Sequence, residues 1–336
     1  MKLAPMLWLM LLWIVAFGLS LVLGHGNLSW AGLWEPNSST RQIIEAVRLP
    51  RALLASLVGA GLGLAGASIQ GVFRNPLADP ALIGISGGAA LFAALYLVVV
   101  SSAGAHFIGL SASAFLGGIL ATALVLLIGG RRGDLSTVLL AGIAINAICL
   151  AGVGLLSYLA PDQSFRSVSF WALGSFNHAS LIDAGVALMM IPVALRLLML
   201  ASVLDVLTLG DLEAAHLGIA VSKRRLEIII GSAFITGIAV SLTGIIAFVG
   251  LIVPHLVRMT IGSRHNAVLP CSMICGAILL LIADWFSRWV FAPIEIPVGI
   301  VMTLLGAPLF VALIAKWTRG IALCCSWRLV EARRFR

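Results

Sequence analysis

Apolar runs of about twenty residues recur along the whole chain, and a helical run of that length matches the thickness of a lipid bilayer. The chain has 336 residues, of which 61% are hydrophobic and 10% are charged. Soluble domains carry about 25% charged residues, so this chain has too few of them to cover its surface in water. Because the runs are continuous and do not alternate in polarity, they predict membrane helices and not barrel strands.

The runs therefore predict an all-α integral membrane protein of about ten transmembrane helices, formed as a single domain over residues 1–336. The predicted spans are Ala4–Leu23, Arg48–Gln70, Ala81–Val100, Ser113–Ile128, Val138–Tyr158, Leu181–Leu200, Leu226–Ile246, Phe248–Arg258, Ala267–Phe286 and Pro297–Trp317. The segment Pro161–Arg166 is a polar break, and the short aromatic segment Ser169–Phe176 is predicted to lie at the membrane interface, where aromatic side chains are favoured. The eighth span is short and broken by Pro254.

The second predicted span carries small residues at four-residue spacing, namely Gly59, Gly63 and Ala67. Such a face lets the backbone of a neighbouring helix approach closely. Ordinary helix packing and a moving helix interface both fit this pattern.

A polar, charged segment, Leu209–Gly218, separates two hydrophobic halves and is followed by Lys223-Arg224-Arg225. Acidic residues such as Asp211 and Glu213 favour the N-terminus of a helix, and glycine at the position of Gly218 favours its end. The pattern predicts a short helix outside the lipid, at about residues 208–219. An ordinary cytoplasmic loop fits the same pattern equally well.

The distribution of positive charge predicts the orientation of the chain in the membrane. With a cytoplasmic N-terminus and ten spans, sixteen of the 21 Lys and Arg residues fall on the inner side. The outer five are Arg41, Arg48, Arg51, Arg166 and Arg288. This bias follows the positive-inside rule, so both termini and the segment Leu209–Gly218 are predicted to be cytoplasmic. It also accounts for much of the net charge of +8 without nucleic acid as a partner.

The spans carry little of the chemistry that other classes of membrane protein need. Ion-coupled carriers hold ionisable groups inside the membrane, but Asp183 and Asp284 lie near span ends, and His255 is the single ionisable group within an apolar run. The chain has no G-x-x-x-x-G-K-[ST] phosphate loop, so an ATPase that drives it is predicted to be a separate subunit. No catalytic pair, metal cluster or cofactor motif stands out, and the five cysteines have no zinc-site spacing.

Several long motifs occur in an order that resembles the iron-chelate and cobalamin (FecCD-like) permease family of ABC importers. They are Arg48–Arg51, Gln70 with Arg74–Pro80, Leu82–Ser86, Leu139–Gly142, Phe248–His255 and Gly306–Pro308. The segment from Leu139 to Trp171 is most similar to the heme-uptake branch of that family. The resemblance covers nearly the whole chain. It implies a type II ABC importer permease fold in the bacterial inner membrane, a homodimer, two cytoplasmic ATP-binding subunits, and a periplasmic heme-binding protein.

The resemblance also implies roles for particular residues. The residues matched to the coupling helix, which docks on the ATPase, are Leu209, Gly210, Asp211, Glu213, Ala214, Ala215, Leu217 and Gly218. The outward arginines Arg48, Arg51 and Arg288 are matched to pairing with glutamates of the binding protein, and three cations on a cation-poor face suit an acidic partner. Plain anchoring at the membrane interface is the alternative for these arginines.

A flat, apolar heme with two propionates suggests further contacts on its path. The candidates are Arg166, Phe170, Trp171, Phe176 and His255, with His265 as a second histidine near heme iron. Interface packing is the alternative for each aromatic residue, and a structural hydrogen bond is the alternative for His255.

Three other functions stay open. They are a ferric-siderophore or cobalamin permease of the same family, an intramembrane enzyme, and a proton-coupled carrier.

Overall fold

The computed structural model describes residues 3–23, 39–100, 107–129, 135–290 and 294–312, and these residues form helices and turns without a strand. The helical segments are α1 Leu3–Val22, α2 Ser39–Ile43, a π-helical turn Ile44–Arg48, α3 Leu49–Phe73, a 3₁₀ turn Pro80–Ile83, α4 Ile85–Val99, α5 Phe107–Gly129, α6 Leu135–Leu159, α7 Asp162–Ala172, α8 Leu181–Ala187, α9 Met190–Met199, α10 Ala201–Leu207, α11 Asp211–His216, α12 Val221–Thr243, α13 Val249–Ile261, α14 His265–Trp289 and α15 Val298–Ala312.

Seven helical stretches among the described residues are long and apolar enough to cross a membrane, and three shorter apolar helices, α4, α13 and α15, accompany them. The predicted all-helical membrane fold is therefore confirmed. Helices α5 and α6 keep large apolar side chains such as Leu127 and Ile148 exposed, which is what a lipid-facing surface requires. The predicted end of the tenth span, beyond residue 312, lies outside the described residues.

Helix α3 is the centre of the bundle. Nearly all of its residues are buried, and it packs against α14, α12 and α13. A Cβ atom at Gly59 or Gly63 would overlap a backbone carbonyl of α14, and one at Gly66 would overlap the backbone of Gly250 on α13. The small residues of the second span therefore bring helix backbones into direct contact, as the sequence predicts.

The third span begins later than predicted. Asp79 Oδ1 accepts a hydrogen bond of 2.7 Å from Ala81 N, and Pro80 opens a 3₁₀ turn, so α4 starts at Ile85 and not at Ala81. From α6, the Asn146 side chain donates to Ala81 O at 2.9 Å and accepts from Gly87 N at 3.1 Å. This amide holds the irregular segment against α6.

Three other predictions need correction. The supposed polar break at 161–166 is mostly helical, because Asp162–Arg166 forms the first half of α7, which ends at Ala172. The sixth span is divided into α8 and α9 by turns at Leu188 and Met189, and α10 continues it. The eighth span is predicted to be broken by Pro254, but α13 runs without interruption over thirteen residues and contains Pro254.

Candidate coupling, docking and cargo sites

A short helix, α11, forms where the sequence predicts it. Asp211 and Glu213 lie in its first turn, and Gly218 adopts a left-handed conformation with φ of 80° just after its end. The amides of Gly218 and Ile219 donate to Ala215 O and Ala214 O at 2.9 and 3.0 Å, which closes the last turn. We call this part of the bundle the α11 end; it includes the C-terminus of α3 and the first turns of α12 and α14.

The apolar side chains of this segment point away from the bundle. Leu209, Leu212 and Leu217 are 64%, 74% and 64% exposed, whereas Ala214 is fully buried. Leucines this exposed on a polar helix outside the apolar spans are typical of a surface that another protein covers. Leu212 was not among the residues that the sequence singled out, although its place between Asp211 and Glu213 would have identified it.

Asp211 connects α11 to two long helices. Its carboxylate pairs with Arg74, which follows the C-terminus of α3, and with Arg225 of α12, and Arg74 Nε also donates to Leu207 O at 2.7 Å. Partial burial alone would raise the pKa of Asp211, but the hydrogen bonds from Arg225 and Arg74 outweigh it and lower the pKa. These ion pairs connect α11 directly to the central helix and to α12.

The opposite end of α3 carries a buried ionic cluster, which we call the Asp284 end. Arg51 Nε lies 2.7 Å from Asp284 Oδ1, and Arg51 Nη1 lies 2.8 Å from Glu295 Oε2. Arg288 Nη2 lies 3.2 Å from Asp284 Oδ2. Arg48 Nη1 donates to Leu21 O and Val22 O, at the last turn of α1, at 2.9 and 2.8 Å.

The structure thus brings Arg48, Arg51 and Arg288 to one end of the bundle, where their side chains are largely buried. They are only 4%, 5% and 9% exposed. A buried guanidinium must be compensated inside the protein, and the Asp284 carboxylate and the carbonyls of α1 do this. Their role in docking a binding protein remains a prediction.

The candidate cargo residues do not form one site. Phe170 and Trp171, on α7, line a cavity of about 490 Å³ together with His178, Leu97 and Leu242. Arg166 is exposed on the same helix. The cavity therefore has an aromatic side at α7 and an aliphatic side at α4 and α12.

The other three candidates lie elsewhere. Phe176 is 1% exposed and packs in the core, so its ring presents almost no surface to a cargo. His255 lies half-buried on α13 and does not line that cavity. His265 begins α14 with its Nδ1 atom 2.7 Å from Asp205 Oδ1, and it is only 3% exposed, so its ring presents almost no surface to a heme. Among the described residues, no group of three His, Cys, Asp or Glu side chains is placed to hold a metal ion.

Comparisons with known proteins agree with this architecture. The FecCD transport family matches residues 11–316. The hemin transport system permease protein HmuU of Yersinia pestis is 43% identical over 318 residues, covering 92% of this chain and 94% of its own. The vitamin B12 import system permease protein BtuC of Vibrio cholerae is 37% identical over 300 residues, covering 89% of each.

A solved structure extends the agreement to the fold. An inward-facing metal-chelate type ABC transporter superposes with a TM-score of 0.85 at 34% identity, covering 93% of this chain and 99% of that chain. The order and packing of the helices therefore match those of an ABC transporter over nearly the full length of both chains.

Proposed function

Because this chain belongs to the FecCD transport family and is a permease subunit of an ABC importer, we propose that its cargo is heme. In this proposal a homodimer spans the bacterial inner membrane, receives heme from a periplasmic binding protein, and is driven by two cytoplasmic ATP-binding subunits. The observation that carries the coupling to the ATP-binding subunits is α11, a short polar helix with exposed leucines, whose Asp211 carboxylate is tied to the central helix α3.

The coupling step follows from that geometry. The leucines of α11 enter an apolar groove of the ATP-binding subunit, and closure of the ATP-binding subunits pushes α11. Arg74 and Arg225 pass the displacement to α3 and α12. Because α3 contacts α14 and α13 through backbone, these helices move with it as one body. Such a movement opens the path alternately to the two sides of the membrane by shifting the population of two states.

The proposed orientation puts the α11 end and both chain termini in the cytoplasm. Five arginines and one lysine of the described residues lie at this end, which suits the positive-inside rule; they are Arg74, Lys223, Arg224, Arg225, Arg258 and Arg264. The Asp284 end then faces the periplasm and the binding protein. There the partner's carboxylates approach Arg51 past Glu295, whose side chain is 41% exposed.

The cargo assignment rests on two observations. A relative that is named for hemin transport is more similar to this chain than one named for vitamin B12 import, at 43% and 37% identity. Phe170 and Trp171 also supply aromatic surface to a cavity of about 490 Å³, and a porphyrin favours aromatic and apolar neighbours. A ferric-siderophore or cobalamin permease is the second candidate, since the vitamin B12 relative matches a comparable length of chain.

The test is uptake by the permease reconstituted in vesicles with its ATP-binding subunit and its binding protein. Hemin, a ferric siderophore and cobalamin are supplied in turn, and ATP hydrolysis and uptake are measured. We expect hemin alone to stimulate both. No preference for hemin would reject the cargo assignment while leaving the family intact.

The same vesicles separate the two other mechanisms that the sequence left open. Uptake that continues with an uncoupler while ATP is maintained excludes a proton-coupled carrier. Loss of ATP-driven uptake on substitution of α11 residues such as Glu213 excludes an intramembrane enzyme, because the activity of such an enzyme does not depend on an ATP-binding subunit that docks at α11.

A further inference from the structure

A second polar feature lies beside α11 at the same end of the bundle. It is a cavity of about 480 Å³ between the C-terminus of α3, the end of α10 and the start of α14. Its charged lining consists of Arg74, Asp205, Arg258, Arg264 and His265. Three guanidinium groups therefore face one carboxylate across a cavity large enough for several water molecules or a side chain.

The charges of this cavity are not balanced within the described residues. Arg74 pairs with Asp211 of α11, and the Asp205 carboxylate is engaged by the imidazole and the backbone amide of His265. Arg258, however, donates only to uncharged oxygens, those of the Gln70 side chain and of Ala67 O, the latter at 3.2 Å. No carboxylate of the described residues lies within ion-pair distance of Arg258 or Arg264.

A half-buried guanidinium with neutral partners alone is costly, because the loss of water is not offset by an opposite charge. Arg264 is exposed at the mouth of the same cavity. The arrangement calls for an anion from outside the chain, with oxygens that can reach both groups.

The position of the cavity indicates where that anion comes from. It lies at the end of α3, which is surrounded by α14, α12 and α13, and therefore in the middle of this face of the bundle and away from the lipid-facing α1, α5 and α6. Asp205 and Thr208, which border it, lie on the segment that leads directly into α11. A protein that covers the leucines of α11 also covers this cavity, whereas a lipid headgroup lies outside that surface.

We propose that an acidic side chain of the ATP-binding subunit inserts into this cavity and pairs with Arg258 and Arg264, as a second contact besides α11. The inference rests on the proposed function, since it requires that an ATP-binding subunit docks at the α11 end. These ion pairs fix the position of the ATP-binding subunit relative to the end of α3, in addition to the apolar contact made by α11.

The test is the affinity of the purified ATP-binding subunit for the permease in nanodiscs of neutral lipid, measured over a range of salt concentrations. We expect Arg264→Gln and the double variant with Arg258→Gln to weaken binding, the double variant about tenfold or more, and to reduce its dependence on salt. Arg258→Lys keeps the charge and should lose less. Arg196→Gln is the matched control, because Arg196 already pairs with Glu227 at 2.6 Å.

The outcomes are distinguishable from those of the proposed function. If the unsubstituted permease binds no ATP-binding subunit, the proposed function fails. If it binds, and the Arg264→Gln and double variants bind with unchanged affinity and salt dependence, this inference alone is overturned. Arg264 is exposed, so its single variant is expected to fold even if Arg258→Gln does not. Anionic lipid that stabilises the permease through Arg258 and Arg264 without affecting binding of the subunit would also overturn it.

Discussion

Both ends of helix α3 carry arginines, but the two ends differ in the burial and the counter-ions of these arginines. At the Asp284 end, Arg51 and Arg288 are buried and share a carboxylate that is fully buried between them. At the α11 end, Arg74 pairs with the half-exposed Asp211, and Arg258 has only uncharged acceptors among the described residues. The buried arginines at the first end have a counter-ion within the chain, whereas the second end is left, among the described residues, with unpaired charge and exposed apolar surface for a partner.

Arginine clusters in a membrane protein thus differ in how much of their charge is already compensated within the chain. A count of cations on each side identifies both ends as sites for acidic partners, but only burial and counter-ions show which cations are still available. The contrast predicts that substitutions at the Asp284 end act mainly on stability, and those at the α11 end mainly on association. Four experiments test that contrast.

The largest effect is expected from Asp284→Ala. It leaves Arg51 and Arg288 buried without their shared carboxylate, and breaking a buried ion pair from one side costs about 3–5 kcal/mol. Unfolding of the purified permease in detergent, followed by helix content, measures the loss. Glu295→Ala is the control in the same cluster: its side chain is 41% exposed, and exposed pairs contribute about 0–1 kcal/mol. Equal losses for the two variants would contradict the contrast.

Gly66→Ala tests the backbone contact between α3, the helix that joins the two ends, and α13. The added methyl group would overlap the backbone of Gly250 and force α3 and α13 apart. Overpacking of this kind costs about 1–3 kcal/mol, and we expect reduced uptake as well as reduced stability. Gly18→Ala on α1 is the matched control, because nothing lies within 4 Å of its new methyl group. A Gly66→Ala variant with unchanged stability and uptake would show that α3 and α13 can accommodate the added methyl group without cost.

Leu212→Ala should weaken association and leave stability nearly unchanged, which is the opposite of the effect expected for Asp284→Ala. Removal of an anchor side chain from an interface costs about 1–2 kcal/mol, or roughly tenfold in affinity for the ATP-binding subunit. The free energy of unfolding should change by no more than about 0.5 kcal/mol, since the side chain is exposed. Leu127→Ala on lipid-facing α5 is similarly exposed, at 77% against 74% for Leu212, and should leave the affinity unchanged. A destabilised protein with normal affinity would refute the role of α11.

The smallest effect is a pH dependence of the attachment of α11. The pKa of Asp211 is lowered in the folded protein, so its contribution is complete above its ordinary pKa of about 4 and is lost as pH falls through the lower, folded pKa. Amide hydrogen exchange of residues 211–217, corrected for the intrinsic pH effect, should therefore show looser protection below about pH 4 than at pH 6. Asp211→Asn should show the loose state at both pH values. Protection that is unchanged by pH would mean that the ion pairs do not hold α11.

Features set by local patterns were predictable from the sequence. Continuous apolar runs identified the spans, and the order Asp211, Glu213 and Gly218 identified a helix with its two ends. The spacing of Gly59 and Gly63 identified the closely packed face of α3. Each of these signals lies within one helix or one turn.

Features that depend on distant partners were not predictable. Arg51 meets Asp284 across 233 positions of chain, and only the fold reveals that this charge is already compensated. The segment 161–166 was read as a break because it is polar, yet α7 is an amphipathic helix whose buried side comprises Ser164 and Val168. Phe176 was grouped with cargo contacts because it is aromatic, whereas packing places it in the core.

The two hydrogen bonds made by Asn146 stabilise the irregular segment before α4. The helix that ends at Phe73 resumes only at Ile85, and each buried peptide group left without a partner in between would cost about 1–3 kcal/mol. The carboxamide of Asn146 is itself a peptide-like group. It donates to the Ala81 carbonyl and accepts from the Gly87 amide, and so provides hydrogen-bond partners for two backbone groups of this segment. One side chain of α6 thus supplements the backbone hydrogen bonds of this segment and fixes the position at which α4 begins.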